Sequence, residues 1–322
     1  MLKKGSVKKR RPTVCLAIPT YNRESVLLDS LRSTLRLRPK PHEILVIDQT
    51  SDHEKETIAF LKAAQRKGLL RWFRQFPPSL TEARNRALAE TRCDIVIFID
   101  DDVQLPKDFV AKHLRHYAEE DVQAVAGGVR QEKKPVYPPG PPGGWPRLFD
   151  YKYFSVYDQR RNEAVATFMG CNHSARVARL LELGGYDTRY RGSAFREDTD
   201  MAVRIWKSGG RIVFDPEARL VHLAAPSGGC RIPAQSQSNP EWRVAFNRHY
   251  FAFRHLFPRW EFWKLLLFRD FRETVLRKAN VLKPWRIPWA LLSYIYSVGK
   301  ALREALARRR EDSRTAGSLR KA

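Results

Sequence analysis

From residue 14 onward the chain alternates short apolar runs with amphipathic stretches. Val14–Ile18 is an apolar run, and Leu27, Leu31 and Leu35 follow at the four-residue spacing of one helix face. Glu43–Asp48 (EILVID) predicts a second strand, and Ser51-x-x-Glu54 predicts a capping box opening a helix through Ile58 and Leu61. Leu70–Gln75 predicts a third, weaker strand, and Ser79-x-x-Glu82 a second capping box before Ala83, Ala87 and Leu88. Asp94–Ile99 (DIVIFI) is almost continuously apolar, the signature of a strand buried on both faces. A helix over Pro106–Tyr117 and a strand over Val122–Val129 come next. Strand and helix alternating at this spacing predict βαβ units, an α/β fold and a mostly parallel central sheet flanked by helices.

Beyond that the pattern changes twice. Lys133–Pro146 (KKPVYPPGPPGGWP) holds too much Pro and Gly for regular structure, and reads as an exposed connector or a loop over a site. Gly184–Leu223 returns to order, with a GGYD turn, a helix over Glu197–Lys207, a Gly209-Gly210 stop, and strand-like runs around Ile212–Phe214 and Ala218–Leu223. From about residue 241 the chain is rich in Trp, Phe, Leu and Arg. Ile287–Val298 is apolar but too short to span a bilayer. The organisation expected is a basic tail over 1–12, an α/β domain over 13–240 and a basic, aromatic-rich helical region over 241–322. Those last helices either pack on the domain or lie in a membrane interface, with aromatics at headgroup depth.

Composition narrows the partners. At 322 residues, 43% hydrophobic and 29% charged, the chain can bury a sizeable core. Its net charge of +24 points to a polyanionic neighbour: a phosphate-bearing substrate, an anionic membrane surface or nucleic acid. The excess sits at the ends, since residues 1–12 hold six Lys/Arg and no acid, and residues 240–322 hold nineteen against seven acids. No nucleic-acid-binding module accompanies it, so nucleic acid is not expected as a partner. Cys15, Cys93, Cys171 and Cys230 lie far apart with no CxxC pair, which argues against a zinc ribbon or a disulfide-stapled domain and for a reducing compartment. The start MLKKGSVKKRRP lacks the apolar stretch of a signal peptide. The expected location is cytoplasmic, with the basic ends suited to the cytoplasmic face of a membrane.

Candidate chemistry gathers at strand ends, where ligands bind in such sheets. Three ends are polar: Pro19-Thr20-Tyr21-Asn22-Arg23, Asp48-Gln49-Thr50-Ser51-Asp52 and Asp100-Asp101-Asp102. The first strand-to-helix turn has no glycine, so neither a dinucleotide fingerprint nor a phosphate-binding Walker loop is present. Three adjacent carboxylates repel one another unless a cation or hydrogen bonds compensate. Mg²⁺ or Mn²⁺ binds carboxylate oxygen and is completed by substrate phosphates. Glu197 and Asp198 open a helix, where acids complement its dipole, and either could act as a general base. His222, at the end of an apolar run, reads as a structural histidine or as a third metal ligand.

These stretches resemble glycosyltransferase family 2, the nucleotide-sugar-dependent enzymes of GT-A fold. The resemblance rests on VCLAIPTYNRESVLLDSLRSTL, EILVIDQTSD, EARNRALAETRCDIVIFIDDDV and GGYDTRYRGSAFREDTDMAVRIWKSGGRIVFDPEARLVHL, in that order from residue 14 to about 223. It implies a nucleotide pocket lined by Thr20, Tyr21 and Arg23 beside Pro19, with Asp48 near the base or ribose and Arg84 and Asn85 facing the nucleotide. Asp100 and Asp102 correspond to the ends of a DxD motif, with Asp102 as direct metal ligand and Asp101 near the ribose. Asp198 would be the catalytic base with Glu197 beside it, and His222 an additional ligand. Gln49 departs from the pattern, standing where many relatives carry a second acid. The implied reaction is inverting transfer of a sugar from a nucleoside-diphosphate sugar to a hydroxyl acceptor, a glycan or lipid-linked group, with Mn²⁺ or Mg²⁺ as cofactor. The rival readings are a basic nucleic-acid-binding protein and a nucleotidyltransferase on a related sheet. The latter would carry a Gly-rich basic loop after the first strand, which this chain lacks.

Overall fold

Seven consecutive buried residues, Val14–Thr20, form β1 at the centre of the sheet. Continuous burial is what a strand covered by helices on both faces requires, and alternate residues feed two separate cores. Val14, Leu16 and Ile18 join one core, while Cys15 and Ala17 join the other. A computed structural model describes residues 10–131, 163–164, 167–230 and 242–319. Lys133–Pro146 and most of the basic tail over 1–12 lie outside the described residues.

The chain continues through α1 (Ser25–Leu35), β2 (Glu43–Asp48), α2 (Lys55–Arg66), β3 (Arg71–Arg74), α3 (Leu80–Glu90) and β4 (Ile95–Ile99). Then come β5 (Val103–Gln104), α4 (Phe109–Leu114), β6 (Val122–Gln131), β7 (Glu163–Ala164), β8 (Asn172–Arg176), α5 (Val177–Glu182), α6 (Glu197–Lys207) and β9 (Arg211–His222). The strand order is β3-β2-β1-β4-β8-β6-β9-β5, with β7 also on β9. Pairing is parallel through β3, β2, β1 and β4 and again between β6 and β9. β8 runs antiparallel between β4 and β6, so the sheet is mixed rather than mostly parallel. Leu27, Leu31, Leu61 and Phe109 cover one face, and Ala83, Ala87, Leu180, Met201 and Ile205 the other.

The local expectations fare differently for identifiable reasons. At Ser79 the cap forms, because its hydroxyl accepts the Glu82 N–H at 3.4 Å. The Ser51 box does not form; Glu54 caps α2 without a side-chain bond, and its N–H donates to Glu24 at 3.3 Å. The two runs expected after Gly210 are one strand, which passes Pro216 through a register irregularity against Gly127 and Val129. Proline cannot complete a ladder, so it sits at such irregularities. β8 escaped the hydrophobic pattern because NHSAR is polar, yet Asn172, His173 and Ser174 are fully buried. Each is satisfied: Asn172 donates to Gly128 and Ala218 carbonyls, Ser174 meets His113 and Tyr117, and His173 meets the Tyr186 hydroxyl at 2.7 Å.

The C-terminal helices are α7 (Trp242–His255), α8 (Trp260–Trp263), α9 (Phe271–Thr274), α10 (Lys278–Val281) and α11 (Ile287–Leu319), with a π-helical stretch over Lys264–Asp270. They form a third core with Tyr190, Ala194 and Val203 of the preceding segment. Asp187 accepts bonds from the Tyr250 hydroxyl (2.7 Å) and from Arg254, and Arg189 reaches Glu304 and Glu311 on α11. The helices therefore pack on the α/β unit. Among the described residues, no helix is long and apolar enough to cross a membrane.

Candidate functional site

The polar ends of β1 and β4 meet because the two strands pair in parallel register. Thr20 donates its hydroxyl proton to Asp101 at 2.7 Å. The buried Arg23 guanidinium spans the run, with Nε 3.2 Å from Asp101, Nη2 3.1 Å from Asp102, and Nη1 on the Ser227 carbonyl. Burial pushes Asp101 up to about 7 although Arg23 and Thr20 pull it down. Asp102 is equally buried but ends below the ordinary carboxylate range, because His222, Arg23 and the Ala225 N–H outweigh burial.

His222 arrives from 120 positions away in the chain. The two-residue strand β5 pairs Val103 with His222, and that register sets the ring beside the acidic run. Its Nε2 lies 3.2 Å from Asp102 and 3.4 Å from the partly exposed Asp100. Burial alone would lower this imidazole, yet hydrogen bonds to the two carboxylates raise it to about 9. One donor atom from each of Asp100, Asp102 and His222 lies within 4.8 Å of the others. Two hard carboxylates and one imidazole are a donor set suited to Mn²⁺ or Mg²⁺. The adjoining cleft is lined by Pro19, Thr20, Tyr21, Arg23 and Gln49, by Asp100, Asp101 and Asp102, and by Leu80, Ser193, Gly229 and Cys230.

The second acidic group is built on a strained turn. Ala194 and Arg196, neither of them glycine, hold φ of 50° and 79° just before α6. Such left-handed residues cost about 1–3 kcal/mol and gather at functional turns. Asp198 stays partly exposed, with Oδ2 accepting the Gly170 N–H at 2.8 Å and Oδ1 the Thr199 N–H at 2.6 Å. Glu197 is buried against Arg84, whose other arm donates to the Gly170 carbonyl at 3.0 Å. Burial holds Glu197 above the ordinary carboxylate range even with Arg84 in contact. Cys171 feels both acidic groups: burial and the charges of Asp100, Asp102 and Asp198 hold its thiol well above its usual value.

Several expected residues are committed elsewhere. Arg84 does not line the cleft but is fully buried between Glu197 and Gly170, with its cation over the Phe98 and Tyr186 rings. Asn85 bonds the Tyr186 backbone with both ends of its amide, at 2.7 and 2.8 Å. Asp48 is buried and accepts from His53, Trp72 and the Thr50 N–H. Glu197, expected beside the base, is spent on Arg84. Gly170 and the Ala225 N–H were not foreseen. Backbone groups leave no signature in a sequence.

Comparison with known proteins follows the same lines. Residues 15–180 match the model of Glycosyl transferase family 2. The uncharacterized glycosyltransferase YfnE of Bacillus subtilis (strain 168) is 28% identical over 166 residues, 51% of this chain and 38% of that protein. Succinoglycan biosynthesis protein ExoM of Rhizobium meliloti (strain 1021) is 27% identical over 214 residues, 66% of each chain. The chain thus spans less than two thirds of the length of either relative. Among solved structures, the mannosyltransferase PcManGT from Pyrobaculum calidifontis, in complex with GDP-Man and Mn²⁺, superposes with a TM-score of 0.53 at 21% identity, covering 96% of this chain and 81% of that one. GalNAc-T7 with UDP, GalNAc and Mn²⁺ gives 0.61 at 16% identity, covering 91% and 58%. At such identities the likeness is one of fold: a GT-A sheet with its flanking helices.

Proposed function

The chain belongs to Glycosyl transferase family 2, and we propose that it transfers a sugar from a nucleoside-diphosphate sugar to an acceptor hydroxyl with inversion, Asp198 acting as general base. The observation that carries this reading is the pairing of two differently built acidic sites. Asp100, Asp102 and His222 converge beside a cleft, and Asp198 is fixed by the Gly170 and Thr199 N–H groups while staying partly exposed. Both solved relatives hold a nucleotide with Mn²⁺, which agrees with the donor set present here.

A divalent cation held by Asp100, Asp102 and His222 would neutralise charge on the departing diphosphate. The residues of the chain do the rest. Arg23 and Thr20 hold Asp101 and Asp102 in place, so the carboxylate geometry is set before substrate arrives. The Gly170 and Thr199 N–H groups aim Asp198, and Arg84 locks Gly170 from behind as a positioning residue. Asp198 then takes the acceptor proton. The acceptor oxygen bonds the anomeric carbon as the bond to the diphosphate oxygen breaks, and the nucleoside diphosphate leaves with that electron pair. One displacement inverts the anomeric centre.

A thermal-shift panel of nucleoside diphosphates with Mn²⁺ names the donor class. Following the transferred sugar by NMR then tests the stereochemistry, and EDTA with Mn²⁺ add-back tests the metal. Product of retained anomeric configuration, or full transfer in EDTA, would sink the mechanism.

A further inference from the structure

α11 is apolar on two opposite sides. Ala290, Tyr294, Ser297, Ala301 and Ala305 face inward, where Ser297 bonds His249 and the Tyr294 hydroxyl donates to the Leu266 carbonyl. On the other side Trp289, Leu292, Ile295, Tyr296, Leu302 and Leu306 recur at helical spacing and are exposed, Trp289 to 73%. The turn leading into the helix adds Val281, Leu282 and Trp285, the last 68% exposed. A surface helix ordinarily turns polar residues outward, and a continuous apolar stripe of this kind marks an interaction surface.

Charge selects the occupant. From Leu276 to Arg303 the chain carries six basic residues (Arg277, Lys278, Lys283, Arg286, Lys300 and Arg303) and no acidic one. Burial and the nearby Arg286 both disfavour the charge on Arg277. A second copy of this face would bring the same positive charges against it. A nucleic acid would supply phosphates and bases that stack on Trp, but nothing to cover the aliphatic Leu and Ile. A lipid surface with anionic headgroups satisfies both demands, and tryptophans beside basic residues are the usual occupants of that boundary.

We propose that the outer face of α11, with the Val281–Trp285 turn before it, docks in the plane of an anionic lipid surface. The face is tied to the α/β unit, because Arg189 reaches Glu304 at 3.4 Å and Glu311 at 2.5 Å on the same helix. Docking therefore fixes the orientation of the catalytic unit over the lipid.

Sedimentation of the full chain with phosphatidylcholine vesicles, with and without phosphatidylglycerol, tests this. Binding is expected only to the anionic vesicles, weakening as salt rises. Trp285→Ser with Trp289→Ser, and separately Lys283→Glu with Arg286→Glu, should each weaken it about tenfold or more. Donor hydrolysis without vesicles should persist in both variants, so a failure here is separable from a failure of the transferase reading. The charge variant keeps the test valid if the tryptophan pair impairs folding. Two results overturn the proposal: vesicle binding unchanged in both variants, or a solution dimer that the tryptophan substitutions abolish, which would make a second copy the occupant.

Discussion

The two acidic groups use like residues in opposite ways. In Asp100-Asp101-Asp102 the buried pair shares one arginine, Arg23, and Asp101 is left well above its ordinary range. Around α6 the buried acid has two guanidiniums and an imidazole of its own: Asp200 meets Arg204 at 2.8 Å, Arg254 at 3.3 Å and His255 at 2.7 Å. Burial notwithstanding, Arg254 and Arg204 hold it far below the usual carboxylate range. Asp101 is under-compensated by the arginine it shares, whereas Asp102, which also has His222 and the Ala225 N–H, is not. Asp200 is over-compensated, as a rigid support for a neighbouring base should be. In each group, one member stays partly exposed: Asp100 in the first and Asp198 in the second.

Replacing one residue from each group gives the largest contrast. Asp198→Asn should cut turnover by ~10²–10⁴-fold and leave the Mn²⁺-dependent thermal shift with nucleotide intact. Asp102→Asn should abolish that shift. If Asp198→Asn also lost the shift, the division of labour would be gone. Next in size is Arg254→Ala, which removes one cation from buried Asp187 and Asp200 and should cost about 3–5 kcal/mol in urea unfolding. The corresponding support near the cleft is spatial. A Cβ on Gly170 would stand 2.7 Å from Arg84 Nη2 and 3.3 Å from Asp198 Oδ2. Gly170→Ala should therefore cost about 1–3 kcal/mol and lower turnover more than nucleotide affinity. Equal loss of both would mean that Gly170 serves the whole cleft.

The smallest effect is on acid stability. Asp200 lies below its ordinary value, and Asp215, despite burial, is drawn to about 2 by His116, the Glu217 N–H and Arg115. A carboxylate depressed on folding stabilises the native state above its unfolded pKa near 3.9, and that stability is lost as pH falls through the folded value. Urea midpoints should thus decline below about pH 4. The decline should be shallower in Arg254→Ala; an unchanged slope would remove Asp200 from the account.

The sheet was readable where burial is continuous. VCLAIP, EILVID and DIVIFI are strands because an apolar run of that length between turns has few other fates. Asn172–Arg176 was unreadable, since Asn172 and Ser174 are buried by virtue of partners more than forty residues away. The partner of Glu197 was hidden for a related reason. The acid's place at a helix start suits a base or a cap, but the buried Arg84, 113 residues earlier, claims it. The basic C-terminal region was legible as helical and amphipathic. That α11 keeps an apolar face outward became visible only once α7 had covered the opposite one.

The sequence by itself determined the alternation of strand and helix, the acidic run at the end of β4 and the excess of charge at the ends. Those are local: periodicity and composition act over a few residues, and elementary sterics and solvation decide them. Only the tertiary structure decided that His222 stands 3.2 Å from Asp102, that Arg23 is shared by Asp101 and Asp102, and that Glu197 is spent on Arg84. Each of those contacts joins residues roughly 80 to 120 positions apart, and they arise from strand register and burial, which no local pattern encodes.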